Sequence, residues 1–263
     1  MKRTQSHNGM AGETWRPFGV RIPSLVAILL GVGVWEILGR AHVTFLVPPF
    51  SDIVTAWVRI AGTHKFADSV VLSLQAYAIG QSIAVVAGLL LGLLMGRFRA
   101  VEYFFEPWVN LFMAAPMSAL VPVIMAFAGI GNTSIVVTVF MFSFFIIVVD
   151  TMAGVKHVSP ALKEMGRSFG ATPLQMMRKI LFRAAMPEIL TGIRLGVVRG
   201  VKGMIVGQML IAVVGFGYLI TTYTYAFAMA ELYAVIFTVL ALSMTLSSAV
   251  GLIERRVVFW GRR

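Results

Sequence analysis

The chain contains no cysteine, which excludes disulfide frameworks, thiolate metal sites and thiol nucleophiles together. Histidine is scarce as well: His7, His42, His64 and His157 stand apart, and none belongs to an HExxH pattern or a cluster suited to a metal. No GxxxxGK[ST] run is present, so the chain has no P-loop in which to cradle the phosphates of ATP. Neither a Ser-His-Asp arrangement nor a carboxylate pair points to catalysis, and the chain is not expected to be an enzyme. The most informative shortage is of charge itself, at 13% of 263 residues. A soluble domain of this length needs a charged shell that so few residues cannot supply. The surplus of 22 Lys and Arg over 11 Asp and Glu is dealt out between apolar stretches, so it forms no stripe of the kind nucleic acid requires.

What fills the chain instead is apolar: 59% of it is hydrophobic, arranged in runs long enough to cross a bilayer. The pattern predicts an all-α membrane protein of six transmembrane helices, with a cytoplasmic tail at 1–21, a membrane domain at 22–254 and a basic tail at 255–263. The first span is expected at 22–38, with Trp35 at an interface, followed by an outer segment with an amphipathic piece at 53–60. The second, at 69–96, carries Gly88, Gly92 and Gly96 at four-residue spacing, which lets another helix approach closely. Residues 107–149 hold no charge and suffice for two crossings joined by a turn at 129–132, with Pro116 and Pro122 kinking the first of them. A fifth span at 189–214 repeats the spacing with Gly192, Gly196 and Gly200; an uncharged outer loop at 215–230 and a sixth span at 232–253 complete the pattern. Counted by side, sixteen of the Lys and Arg lie on the tails and the second and fourth loops, and only three on the other loops, which places both termini inside.

One long polar interval, residues 159–189, interrupts the second half. Ser159-Pro160 reads as a helix cap followed by a first-turn proline, and Gly170 stands where a helix end needs a left-handed residue. Thr172 with Gln175 forms a capping box that starts a second helix, and Pro187 marks the next boundary. Leu162, Met165 and Phe169 share one face of the first helix, and Leu174, Met177, Leu181 and Ala184 one face of the second, with the cations elsewhere. By itself such a segment fits a solvated loop lying on anionic headgroups.

The spacing of Glu164, Gly170, Ile180 and Pro187 resembles the EAA loop of ABC-transporter permeases, in the branch serving sulfonate, taurine, nitrate and related importers. Further stretches look like that branch in order and spacing: VPPFSDIV at 47–54, the run at 69–96, EPWVNLFMAAPMSALVPV at 106–123, GIRLGVVRG at 192–200 and GFGYLI at 215–220. The resemblance implies a type I ABC importer permease-like bundle in a bacterial inner membrane. It also implies two copies of an ATPase that carries the ATP and Mg, a second permease copy making a homodimer, and a soluble solute-binding protein outside. ATPase coupling would fall on 155–188, through Glu164, Gly170, Ala171, Ile180 and Pro187. Two positions depart from the pattern: Phe182-Arg183 stands where Leu-Pro is usual, and Gln208 where the branch commonly has Glu.

The fifth span raises one more question, because Arg194, Arg199 and Lys202 lie within it. A basic residue near the bilayer centre costs about 2.5–3.5 kcal/mol on insertion scales unless it finds water or a partner. Arg194 is near enough to the inner end to snorkel. Arg199 and Lys202 either pair with Asp150 or Glu188 or, with Gln208, line a path for an anionic solute. The remaining alternative is an ion-coupled secondary transporter, although the two halves show no internal repeat and the carboxylates Glu36, Asp150, Glu188 and Glu231 are expected near span ends.

Overall fold

The computed structural model describes residues 24–41, 44–211 and 214–257. The expected tail at 1–21 and the last residues of the basic tail lie outside them. Every element among the described residues is helical. The helices are α1 (Ser24–Arg40), α2 (Phe50–Ala61), α3 (His64–Arg97), α4 (Arg99–Ala114), α5 (Met117–Ala128) and α6 (Asn132–His157), then α7 (Pro160–Ser168) and α8 (Pro173–Gln175). A π-helical stretch (Met176–Leu181) and α9 (Phe182–Ala184) lead into α10 (Met186–Ile211), α11 (Gly215–Tyr225) and α12 (Met229–Val257).

The bundle is organised around α6, which α3 and α10 grip from two sides. On α3, a Cβ at Gly88 would lie 2.9 Å from Ile147, one at Gly92 2.6 Å from Thr151, and one at Gly96 2.6 Å from Val155. On α10, a Cβ at Gly192 would meet Asp150 at 2.6 Å and one at Gly196 would meet Ile147 at 2.8 Å. The four-residue glycine spacing thus brings both backbones against α6, where Ser143, Ile147, Val148 and Thr151 are buried. Apolar association is weak between helices solvated by lipid, so this close packing is what the small residues supply. Around this seam, α12 packs on α10 and α2, while α1 is largely exposed and is attached through Trp35, whose Nε1 donates to Pro48 O at 3.0 Å.

Three helices among the described residues, α3, α6 and α12, are long and apolar enough to cross a membrane alone; counting the bent pairs α4–α5 and α10–α11 as one span each raises the number to five. At 17 residues, α1 reaches about 26 Å at 1.5 Å per residue, a little less than a bilayer core of ~30 Å.

Two expectations need correction. The third span is broken at the first of its two prolines and not kinked at both: α4 and α5 meet at 108°. Pro116 has no N–H to continue the ladder and forces Ala115 into an extended conformation (ψ 142°), so α4 ends there, whereas Pro122 sits inside α5 without ending it. The expected outer loop at 215–230 begins instead as the helix α11, opened by Gly215 at φ +81°. Its first turn is tied down by Gln208 and Ser73, groups too distant in sequence for a local pattern to reveal.

Candidate functional site

The polar segment folds as two linked pieces. Ser159 Oγ accepts from Leu162 N at 3.4 Å and Pro160 opens α7. At the far end Gly170 adopts φ +69°, its N–H donating to Arg167 O at 2.9 Å while Ala171 N–H donates to Gly166 O at 3.0 Å. The capping box is present in both halves: Gln175 N donates to Thr172 Oγ1 at 3.3 Å and Thr172 N to Gln175 Oε1 at 2.9 Å. Beyond the box the chain departs from the regular helix that the sequence suggested. Its turns are π-helical over 176–181, so Met176 and Leu181, five residues apart, both face inward with Ala185, and Leu174 is left exposed. The break before α10 falls at Ala185 (φ −81°, ψ −5°), and Pro187 takes the second position of α10.

The contact between the two pieces runs through a residue that sequence reasoning missed. Gly166, one helical turn before Gly170, lies against Ile180 and Met176, whose terminal atoms occupy the space a Cβ would need. Ile180 is therefore the side chain that seats α7, and Ala171 is half-buried in the same cluster, with Val155 and Leu181. The face expected to be apolar does not turn inward: Leu162, Met165 and Phe169 are 39%, 46% and 86% exposed. Glu164 is exposed beside them and has no cation within 4.0 Å among the described residues.

A second candidate region lies on α10. Arg199 falls near the midpoint of this 26-residue helix, exposed, with Nη1 3.8 Å from the sulfur of Met113 at the end of α4. Lys202 is exposed one turn further on, and Leu195 and Met209 continue the same open stripe, beside the glycine face. No carboxylate among the described residues lies within 4.0 Å of Arg199 or Lys202, so neither makes a direct ion pair, although the charge of Arg199 still acts on the Asp150 carboxylate. Arg194 behaves as expected of a structural residue, with Nε donating to Ser247 Oγ at 3.3 Å and Nη1 3.9 Å from Glu254 on α12.

Gln208 departs from the role expected of it. It is fully buried; its Nε2 donates to Ser73 Oγ at 2.9 Å and its Oε1 accepts from Gly217 N at 3.2 Å. Ser73 Oγ in turn accepts from Phe216 N at 3.1 Å, so the pair satisfies the opening N–H groups of α11 and faces no open space. An uncharged amide suits this place because it can donate and accept at once. Asp150 lies in the last third of α6 against Gly192, with Oδ2 buried and without a hydrogen-bond partner among the described residues.

The likeness to known proteins is broad. Residues 84–259 match the family described as "Binding-protein-dependent transport system inner membrane component". The taurine transport system permease protein TauC of Escherichia coli is 26% identical over 241 residues, covering 89% of this chain and 87% of that protein. The formylaminopyrimidine transport permease protein ThiX of Halalkalibacterium halodurans is 28% identical over 242 residues, covering 92% and 96%. Among solved structures, an inward-facing MetNI methionine ABC transporter superposes with a TM-score of 0.68 at 20% identity, over 74% of this chain and 96% of that chain, which shows the type I importer fold. A glycine-packed helical bundle, a capped polar segment between its spans and a match over two thirds of the sequence agree: this chain belongs to the binding-protein-dependent transport system inner membrane component family, the permeases of ABC transporters.

Proposed function

We propose that this chain is the membrane-spanning subunit of an ATP-driven importer, working as a homodimer with six crossings per copy, both termini inside, two ATPase subunits on the cytoplasmic face and a solute-binding protein on the other. The observation that carries the reading is the outward apolar face of α7. In a segment with six Lys and Arg between 156 and 183, three exposed apolar side chains on one short helix are unfavourable in water and fit a partner's cleft. Glu164 and the Gly170 turn flank that face, and the Gly166–Ile180 contact passes its movement to the π-helical stretch and so to α10. ATP and Mg belong to the partner, in keeping with the missing P-loop.

The test is Leu162→Ser combined with Phe169→Ser. The variant permease inserts normally and its co-purification with the ATPase falls about tenfold or more, as expected for truncating the centre of an interface. Unchanged co-purification together with unchanged transport would reject docking on this face.

For the solute we propose a small anion: a sulfonate, taurine, nitrate or a relative of these. Support comes from Arg199 and Lys202, two cations near mid-span with no carboxylate within 4.0 Å among the described residues, and from the taurine named for one relative; Gln208 is left out of the path because it is buried. Arg199→Gln and Lys202→Gln should each lower transport about tenfold while assembly and basal ATP hydrolysis persist. Loss of assembly in both variants would make the pair structural. The competing reading, an ion-coupled transporter, has the buried Asp150 carboxylate in its favour, and transport by ATP-depleted vesicles carrying an ion gradient would establish it.

A further inference from the structure

Where α3 ends against the polar segment, an open cavity of about 270 Å³ is lined by Arg97 of α3 and by Lys163 and Arg167 of α7, with Val155, Met176 and Leu181 among the other residues around it. Lys163 and Arg167 are four residues apart, on neighbouring positions of one helix face, where like charges repel. Four other cations in the bundle have acids beside them, while others such as Arg199 and Lys202 do not: Lys156 is 2.5 Å from Glu102, Arg40 is 2.6 Å from Glu36, Arg59 pairs with Glu231 and Arg194 is 3.9 Å from Glu254. No carboxylate among the described residues comes within 4.0 Å of Arg97, Lys163 or Arg167. Arg97 has a local reason to be where it is, since it neutralises the carbonyl end of a 34-residue helix. Arg167 stands likewise in the last turn of α7, whereas Lys163 has no such place.

We propose that this cavity is an oxyanion site of the phosphate class, taking the phosphodiester headgroup of an acidic lipid or a free phosphate. Three cations lining one open cavity suit a compact anion, because each can donate to its oxygens and their charges add. Basic pockets between helices at the cytoplasmic boundary are places where acidic headgroups bind. Since the three cations come from two elements, a bound anion clips α7 to the end of α3, and so fixes the helix that the proposed function presents to the ATPase. Only the lipid source rests on that reading's cytoplasmic placement of α7; binding of a soluble phosphate in detergent does not depend on orientation.

The experiment uses the purified permease–ATPase complex in detergent, with Pro173→Cys as a reporter at the cavity rim in an otherwise Cys-free chain. The maleimide labelling rate of the permease is followed against short-chain phosphatidylglycerol in one arm and inorganic phosphate at constant ionic strength in another. Saturable protection is expected. Half-saturation should rise about fivefold for Lys163→Gln and roughly a hundredfold when Arg97, Lys163 and Arg167 are all replaced by Gln. The control pair Lys179→Gln with Arg183→Gln, on the same segment but away from the cavity, should change it less than about twofold. Protection by phosphatidylglycerol alone assigns the site to lipid; protection by both probes assigns it to the free oxyanion.

The proposal is overturned if neither probe protects, if the triple variant is protected as well as the parent, or if the control pair weakens protection equally. It is also overturned if the reporter is blocked by the ATPase without any probe and reactive once the ATPase is removed, since an acidic partner residue then fills the cavity. Lys163→Gln alone decides the matter should the triple variant fail to assemble. A failure of the docking reading shows separately, in the co-purification of the Leu162 and Phe169 variant.

Discussion

A methyl group placed on Gly92 would lie 2.6 Å from Thr151 and 2.7 Å from Val148 O, whereas one placed on Gly170 would meet no heavy atom within 4 Å. The first glycine lies in the bundle seam and the second in the polar segment, and they are needed for opposite reasons. In the seam, backbones at regular helical φ approach so closely that a side chain has no room. In the segment there is room, but φ +69° is a conformation that L side chains adopt only at a cost. The seam is therefore defined by space and the segment by local geometry, and the two should respond differently to substitution.

The largest effect is expected in the seam. Gly92→Val puts a branched side chain between α3 and α6 at the position where Thr151 is buried. Overpacking of this kind costs about 1–3 kcal/mol or more. Because the same seam holds α10 on the other face of α6, the damage is expected to be global: little assembled complex is recovered, and what remains unfolds at a lower temperature. Gly92→Ala should be intermediate. If Gly92→Val were recovered at parental yield and stability, α3 and α6 can separate freely and the account of the seam fails.

A smaller effect is expected at Gln208, where the seam meets α11. Gln208→Leu fills a similar volume but removes the acceptor for Gly217 N and the donor to Ser73 Oγ. An orphaned buried donor costs about 1–3 kcal/mol. Thermal unfolding should shift accordingly, and hydrogen exchange should accelerate at the amides of 215–218 before it does in α3 or α6. Uniform acceleration along the bundle would mean that the amide supports the whole fold and not the start of α11.

The contrast between seam and segment also explains which features are legible in the chain. The glycine repeats of α3 and α10 were legible because close helix packing in a membrane leaves a spacing in the chain itself. The caps at Ser159, Thr172 and Gly170 were legible because each is a local hydrogen-bonding solution, complete within a few residues. The hidden features depend on residues far apart: Gln208 with Ser73 over 135 positions, or the partnerless Asp150 facing Gly192. The inward setting of Met176 and Leu181 was hidden for another reason, since it follows a five-residue repeat and not the α-helical period that marks an amphipathic face in a sequence. Gly166 was overlooked beside the more obvious Gly170, yet the packing of α7 is built on it.

The smallest predicted effect is at Gly170, and it separates geometry from space most cleanly. Gly170→Ala adds one methyl where nothing obstructs it, so any cost must come from φ +69°, about 1–2 kcal/mol for an L residue in the left-handed region. Asn tolerates that region better than Ala, so Gly170→Asn should recover part of the loss although its side chain is larger. The loss should stay local, because α7 is tied to the bundle through Gly166, Ile180 and Met176 and not through Gly170. Faster hydrogen exchange is therefore expected at the amides of 167–171, in the order Ala above Asn above Gly, with the unfolding temperature of the bundle unchanged. The permease alone and the complex with its ATPase should be measured in parallel. If Asn is worse than Ala in the complex but better in the isolated permease, size matters only when the partner is present, and Gly170 lies in the contact as well as at the turn. If Asn is worse than Ala in both, the constraint is steric within this chain, and the distinction between the two glycines is wrong.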